Sequence, residues 1–362
     1  KVVILVATSG DTGKAALEGF ADVEGTEIIV FYPSEGVSDI QKRQMITQMG
    51  KNVKVFGIEG NFDDAQRGVK EIFGNVELAA ELEEKGYAFS SANSINWGRL
   101  VPQIVYYFSA YVDAVKAKSI KMGDPVNFVV PTGNFGNILA GYYAKLMGLP
   151  VERLLCASNS NNVLTDFINT GVYDKRRDFY KTVSPSMDIL VSSNLERLLY
   201  SITGEDAEKV AAMMDKLNDE GSYKVEADSL KIIQSEFFAA WVDEVETKGV
   251  IAKVYSDYNY LMDTHTAVAW GALEKYRFLT SDETFTIVLS TASPYKFCDS
   301  VLEALEDAKQ ENVEPFDLLR KLNEKTNAPI PERMLALETL PIIHSDVIEA
   351  AGMEQAVVEY LK

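Results

Sequence analysis

The sequence predicts an α/β protein built on mainly parallel open sheets with helices on both faces. Two observations carry that expectation. Short β-rich apolar runs alternate with helical patterns along most of the chain. Three strand-to-helix junctions carry glycine or small polar residues: Thr8-Ser-Gly-Asp-Thr-Gly13, Thr132-Gly-Asn-Phe-Gly-Asn137 and Ser290-Thr-Ala-Ser293. In an open parallel sheet, ligands bind beyond the carboxyl ends of the strands, so three such junctions point to a pocket.

Val2–Val6 reads as a strand and Thr12–Val23 as a helix, then Glu27–Phe31 and Asp39–Met49, then Val53–Phe56 and Phe62–Phe73. This βαβαβα order implies parallel strands joined by right-handed crossovers. After Tyr87–Phe89, a polar stretch to Asn96 precedes a helix from Trp97 to about Ala117. Its Leu100, Ile104, Tyr107, Phe108 and Tyr111 share one broad apolar face, and Pro102 is acceptable only in the first turns. Residues 1–118 form a first α/β block. A second block, 119–310, opens with a strand at Val126–Val130, the glycine loop and a helix from Ile138, and has a further strand at Arg153–Cys156. Within it, about 203–250, Glu205–Leu217 and Ser229–Glu246 are charged and amphipathic with no clear strand between them, which predicts a helical insertion. The sheet returns at Thr284–Ser290, followed by a helix from Lys296. Residues 311–362 read as an acidic helical tail broken at Pro329 and Pro331.

With 54 acidic against 35 basic side chains, the formal charge of −19 leaves no broad basic surface for nucleic acid or anionic lipid. A small anion is still possible, because a few local donors act against the overall field. Cys156 and Cys298 sit in or beside apolar runs, which argues for buried thiols in a reducing, cytoplasmic setting rather than a disulfide framework. His265 and His344 lack the close spacing of a metal site, so no metal is expected. No run approaches a membrane span and no signal peptide is present. The chain opens at Lys1, without methionine, directly before Val2–Val6. It is therefore expected to be a fragment truncated at its amino end.

The second junction carries the most chemistry. Gly133 and Gly136 let the backbone approach a ligand closely, Asn134 and Asn137 add side-chain donors, and the first turn of the following helix offers unpaired N–H groups to an anion. Phosphate is the expected anion. The spacing is neither the dinucleotide fingerprint nor a nucleotide P-loop, and Gly13-Lys14, followed by Ala15, is not a P-loop either. At the first junction, the Ser9 and Thr12 hydroxyls suit a carboxylate. Asp11 is an awkward neighbour for an anion, and its ordinary role is helix N-capping.

Ala7-Thr-Ser-Gly-Asp-Thr-Gly13, Asn93-Ser-Ile-Asn-Trp-Gly-Arg99 and Pro131-Thr-Gly-Asn-Phe-Gly-Asn137 together resemble the threonine synthases, within the fold type II pyridoxal 5′-phosphate (PLP) enzymes of the tryptophan-synthase-β type. Pro185-Ser-Met-Asp-Ile189 with Ser193–Leu199, Asp263–Val268 and Ser290–Phe297 extend the resemblance over most of the chain. The resemblance implies that Gly133, Asn134, Phe135, Gly136 and Asn137 hold the PLP phosphate and that Thr291 meets the pyridine nitrogen. It implies that Ser9, Gly10, Asp11 and Thr12 hold the amino-acid substrate. Ser94, Asn96 and Arg99 become candidates for the phosphate of O-phosphohomoserine. The implied reaction converts that substrate and water to L-threonine and phosphate. The family's Schiff-base lysine is expected upstream of Lys1, so no catalytic residue is nominated and the fragment is expected to be inactive alone. Lys14 is not nominated, and Ser293, where the family commonly has histidine, is given no role. A PLP-dependent lyase or dehydratase acting on serine or threonine and a non-catalytic phosphometabolite-binding protein are the alternatives. His265 is read as holding its own loop and His344 as structural.

Overall fold

The computed structural model describes residues 1–8, 10–93, 96–310 and 312–362; Ser9, Ser94, Ile95 and Glu311 lie outside that description. The described strands are β1 (Val2–Ala7), β2 (Thr26–Pro33), β3 (Val53–Glu59), β4 (Ala88–Ser91), β5 (Val126–Pro131), β6 (Val151–Ser158), β7 (Val172–Asp174), β8 (Ser222–Lys224), β9 (Phe237–Trp241), β10 (Thr286–Val288) and β11 (Val347–Glu349). The chain forms two compact units. One comprises Lys1–Asn96, Tyr295–Leu302 and Lys309–Lys362, the other Trp97–Pro294 and Glu303–Ala308. The division falls at Asn96 rather than 118, so the helix Trp97–Lys116 belongs with the second unit. The tail joins the first unit instead of standing apart.

In the first unit a parallel sheet runs β11-β3-β2-β1-β4, with Leu5 in register with Ile29 on one side and Ser91 on the other. Ile4, Val6, Ile28, Val30, Val53 and Val55 pack with Ala16 and Leu17 of the helix Asp11–Phe20 and Met45 of the helix Asp39–Ile46. Each fully buried aliphatic side chain of this kind contributes about 1.5–3 kcal/mol of transfer free energy. The helix Phe62–Gly74 packs on β1 and β2. A further helix, Val76–Glu84, capped by the Asn75 side chain, had no sequence-based expectation. From β1 the chain proceeds to β2 and β3 on one side, then returns beside β1 as β4, so the order reverses between β1 and β4.

The tail is not purely helical. Helices Pro315–Thr326, Glu332–Ala336 and Met353–Tyr360 are joined by β11, which pairs with β3 at Ile348 and Ile58. Three residues are too few to show a strand period.

The second unit has a parallel sheet in the order β10-β5-β6-β9. Val129, Leu155 and Ala157 pack with Val268, Ala269, Ala272 and Leu273 of the helix Thr264–Thr280. The helix Trp97–Lys116 sends Tyr107 edge-on to Phe128, with ring centroids 4.9 Å apart. Two strands correct the expectation for 203–250. β8 pairs antiparallel with β7, and β9 is the edge strand of the main sheet. Phe237-Phe-Ala-Ala-Trp241 is a short unbroken apolar run, and such a run has no period that separates a strand from a buried helical turn. The charged helix Ala207–Asp219 packs on β8, Ala227–Glu236 on β9, and Glu244–Tyr258 on the helix Thr264–Thr280. From β5 the chain passes to β6 and β9, then returns beside β5 as β10, so the reversal here lies between β5 and β10.

Candidate active site

Each sheet has one place where the chain order reverses, and there two successive crossovers leave in opposite directions and open a crevice at the strand ends. In the second unit the glycine loop follows β5 and Ser290-Thr291 follow β10. These are the two strands that flank the reversal. Val288 is in register with Val129, and the Leu289 N–H donates to the Val129 carbonyl at 3.0 Å. Both segments therefore leave the carboxyl end of the sheet from adjacent parallel strands.

The helix begins at Gly136, two residues before the expected Ile138, and Phe135 occupies its N-cap position with φ 59°. Left-handed backbone is costly for a residue with Cβ. Phe135 is 1% exposed and its ring lies 5.7 Å from that of Phe237, so burial of the ring offsets the strain. Gly133 is needed for space: a Cβ there would stand 2.6 Å from the Ser186 carbonyl oxygen. The loop's own carbonyls are already engaged. Asn194, fully buried, donates to the Asn134 carbonyl from its backbone N–H (3.1 Å) and from its side-chain amide (2.9 Å), and the Ser192 hydroxyl donates to the Gly133 carbonyl at 3.1 Å. Asn137 accepts from the Tyr107 hydroxyl at both its backbone and side-chain oxygens. Among the described residues, the backbone N–H groups of 133–137 donate to nothing. With carbonyls tied down and amides free, the loop is a preformed anion cradle at a helix N-terminus.

Behind the cradle, His265 Nε2 accepts the Ser186 N–H at 3.2 Å while Nδ1 faces the Asp263 carboxylate at 3.1 Å. With Nε2 accepting, the proton sits on Nδ1. Burial alone would raise the Asp263 carboxyl, but its bonds to His265 and Thr266 hold it below the ordinary value. The Thr266 hydroxyl contacts Asp263 and, at 3.2 Å, the Ser290 hydroxyl. Asp188 anchors the same wall, accepting from Asn159, Asn161 and Thr182, and burial pushes its carboxyl up. His265 does hold its own loop. The positioning roles of Ser192, Asn194, Ser186 and Asp188 have no signal in the sequence, because bonds between positions 27 to 79 residues apart leave no local pattern. Thr291 is exposed and, among the described residues, makes no hydrogen bond.

The first unit places its junction at the corresponding reversal, between β1 and β4. Asn93, just beyond β4, clamps Ala7 by accepting its N–H at 3.1 Å and donating to its carbonyl at 2.6 Å. Gly10 has φ 140°, a conformation that favours glycine, and a Cβ there would meet the Gln41 amide at 2.4 Å. The Thr8 hydroxyl accepts the N–H groups of Gly10 (2.9 Å) and Gly13 (2.8 Å). Thr8 thus does what was expected of Asp11. Asp11 is the first helical residue and caps nothing; its carboxylate takes Lys296 and Gln41 instead. The Thr12 hydroxyl makes no hydrogen bond among the described residues. Lys14 is engaged with Glu18 and Gln48.

Of the three candidates for a second anion, Asn96 spends its amide on the Ser91 carbonyl at 2.8 Å, and Ser94, like Ser9, is outside the described residues. Arg99 is half-buried in the first turn of Trp97–Lys116, and among the described residues no carboxylate pairs with it. Elsewhere, His344 is structural, its Nε2 2.9 Å from the Gln48 carbonyl oxygen, and both cysteines are buried, with burial pushing Cys156 up to about 12.

A family model described as pyridoxal-phosphate dependent enzyme matches residues 1–290, and one described as threonine synthase, C-terminal, matches 266–356. A PLP-bound threonine synthase from Brucella melitensis superimposes with TM-score 0.81 at 37% identity, covering all of this chain and 70% of that one. The chain belongs to the PLP-dependent threonine synthase family. Yeast threonine synthase gives TM-score 0.82 at 34% identity, again over the whole chain and 70% of the yeast one. Human threonine synthase-like 1 is 39% identical over 361 residues, 98% of this chain and 46% of that protein. The chain thus spans about half the length of the curated relatives it matches most fully.

The fold is PLP fold type II and the cofactor is pyridoxal 5′-phosphate. The second unit suits it: a phosphate-sized group of amides and a neutral hydroxyl stand at adjacent strand ends, and among the described residues neither is consumed by the protein's own bonds.

Proposed function

We propose that the protein of which these residues form part converts O-phospho-L-homoserine and water to L-threonine and phosphate, with phosphate leaving Cγ and water adding at Cβ. The observation that supports this most is the pair of unspent groups flanking the β5/β10 reversal, in a chain of the threonine synthase family.

In this reading the backbone amides of Gly133, Asn134, Phe135, Gly136 and Asn137 hold the cofactor phosphate, and Thr291 meets the pyridine nitrogen. PLP, when bound, supplies an electron sink for the carbanion at substrate Cα. Thr291 presents a neutral hydroxyl, which does not enforce a protonated ring and so limits electron withdrawal; that suits chemistry at Cβ and Cγ. Gly10, Asp11 and Thr12, with Ser9, orient the amino-acid carboxylate. Arg99 takes the substrate phosphate, with Asn96 and Ser94 beside it in sequence; its lack of a carboxylate partner among the described residues supports a role toward an anion that comes and goes. No lysine of the described loops is assigned the proton transfers. Residues 1–362 alone are therefore expected to bind PLP without turnover.

A dehydratase-like elimination at the same site is the second reading. Incubating the full-length protein with PLP and O-phosphohomoserine separates them by product. Threonine formed in step with phosphate supports the synthase, and a 2-oxo acid with ammonia and phosphate supports the lyase. No phosphate release from the full-length protein overturns the synthase, and a 2-oxo acid formed from serine or threonine instead supports the dehydratase.

A further inference from the structure

Asp11 opens the helix at the loop assigned to the substrate carboxylate, and its charge has the wrong sign for that ligand. Within the same compact unit, the Lys296 Nζ lies 2.6 Å from Asp11 Oδ1, and the Gln41 amide donates to that oxygen at 2.9 Å. The pair is partly withdrawn from water, with side chains 17% and 31% exposed, so salt screens it less than an open surface pair. Both partners are held from outside the loop. Gln41 is 1% exposed, serves the capping box of Asp39–Ile46, and occupies the space a side chain at Gly10 would fill. Lys296 lies between Tyr295 and Phe297, which are 2% and 3% exposed, and Tyr295 bonds the Ala328 carbonyl. A cation anchored this way cannot readily leave Asp11. The other loop groups, Thr8, Gly10 and Thr12, are uncharged.

We propose that Lys296 is a specificity-determining residue. By cancelling Asp11 it leaves the Gly10–Thr12 turn without net charge, so that the amides Thr8 does not take and the Thr12 hydroxyl accept a carboxylate. Without it, the turn repels anions and discriminates against amino-acid substrates. The inference rests on the assignment of that turn to the substrate carboxylate.

The test uses the full-length protein loaded with PLP, titrated with O-phosphohomoserine and followed by the cofactor's visible absorbance, which reads binding rather than turnover. Lys296→Met weakens substrate binding about tenfold or more, a step of one charge-assisted contact, while PLP affinity and the thermal midpoint stay near the parent values. Lys296→Gln serves if the methionine variant does not fold. Lys296→Arg keeps parental affinity. The decisive variant is Asp11→Asn with Lys296→Met: it keeps the backbone N–H of residue 11, and removing both charges recovers most of the affinity that Lys296→Met loses. If the double variant stays as weak as Lys296→Met, charge cancellation is overturned. Thr12→Ala separates the two layers: if it weakens substrate while Lys296→Met does not, only the role of Lys296 falls. If neither changes substrate affinity, the carboxylate assignment falls with it.

Discussion

The loops after β1 and β5 share a plan and differ in what they leave unspent. Each follows a buried parallel strand, carries glycines, opens a helix, and sits at the chain reversal of its own sheet. After β5, the protein binds the loop's carbonyls and, among the described residues, leaves five successive amides without acceptors. After β1, the Thr8 hydroxyl satisfies two of the amides, and the nearest charge, Asp11, is neutralised by Lys296. A loop whose donors are all free and whose shape is held from behind suits a resident cofactor, because the cost of ordering it has already been met by folding. A loop that is largely self-satisfied gains less from its ligand, as an exchanging substrate requires. In the proposed function the same local motif would serve tight and transient binding according to how its hydrogen bonds are distributed.

That contrast can be broken most severely at Gly133. Gly133→Ala sets a methyl 2.6 Å from the Ser186 carbonyl, and overpacking of this kind costs about 1–3 kcal/mol. The expected outcome is a lower denaturation midpoint and a matching loss of PLP affinity, read by equilibrium dialysis. Normal PLP binding by this variant would show that the loop is not a fixed cradle.

Asn194→Ala tests the clamp rather than the cradle. It removes one of the two bonds to the Asn134 carbonyl and keeps the backbone one, and the net loss of one hydrogen bond costs about 0.5–1.5 kcal/mol. PLP affinity should fall while binding of a substrate carboxylate to the other loop does not. An equal fall in both would mean the two loops do not act separately.

Thr8→Val sharpens the other side of the comparison at the smallest scale. Loss of a capping hydroxyl typically costs about 1 kcal/mol. The prediction is a small drop in stability, weaker substrate binding and unchanged PLP affinity. If PLP affinity changes as much as substrate affinity, the division of labour between the loops is wrong.

The alternation of apolar runs and helical patterns was enough to read β1, β2, β3, β5 and β6 and most of the helices, because buried parallel strands and amphipathic helices carry their pattern locally. The glycine loop and its suitability for phosphate were equally plain, since both follow from residue type at a strand-to-helix turn. What escaped was short or distant. β9 and β11 are runs of five and three residues without a diagnostic period, and each is a strand only because a partner strand lies beside it. The Asn194 and Ser192 clamp, the Asp263–His265–Ser186 relay and the Lys296–Asp11 pair join positions from 59 to 285 residues apart. Residue chemistry alone placed a phosphate at 133–137 and left Asp11 as an unexplained obstacle to an anion. Only the folded chain could bring Lys296 to that carboxylate, because Coulomb and hydrogen-bond energies depend on separation in space, and separation along the chain does not report it.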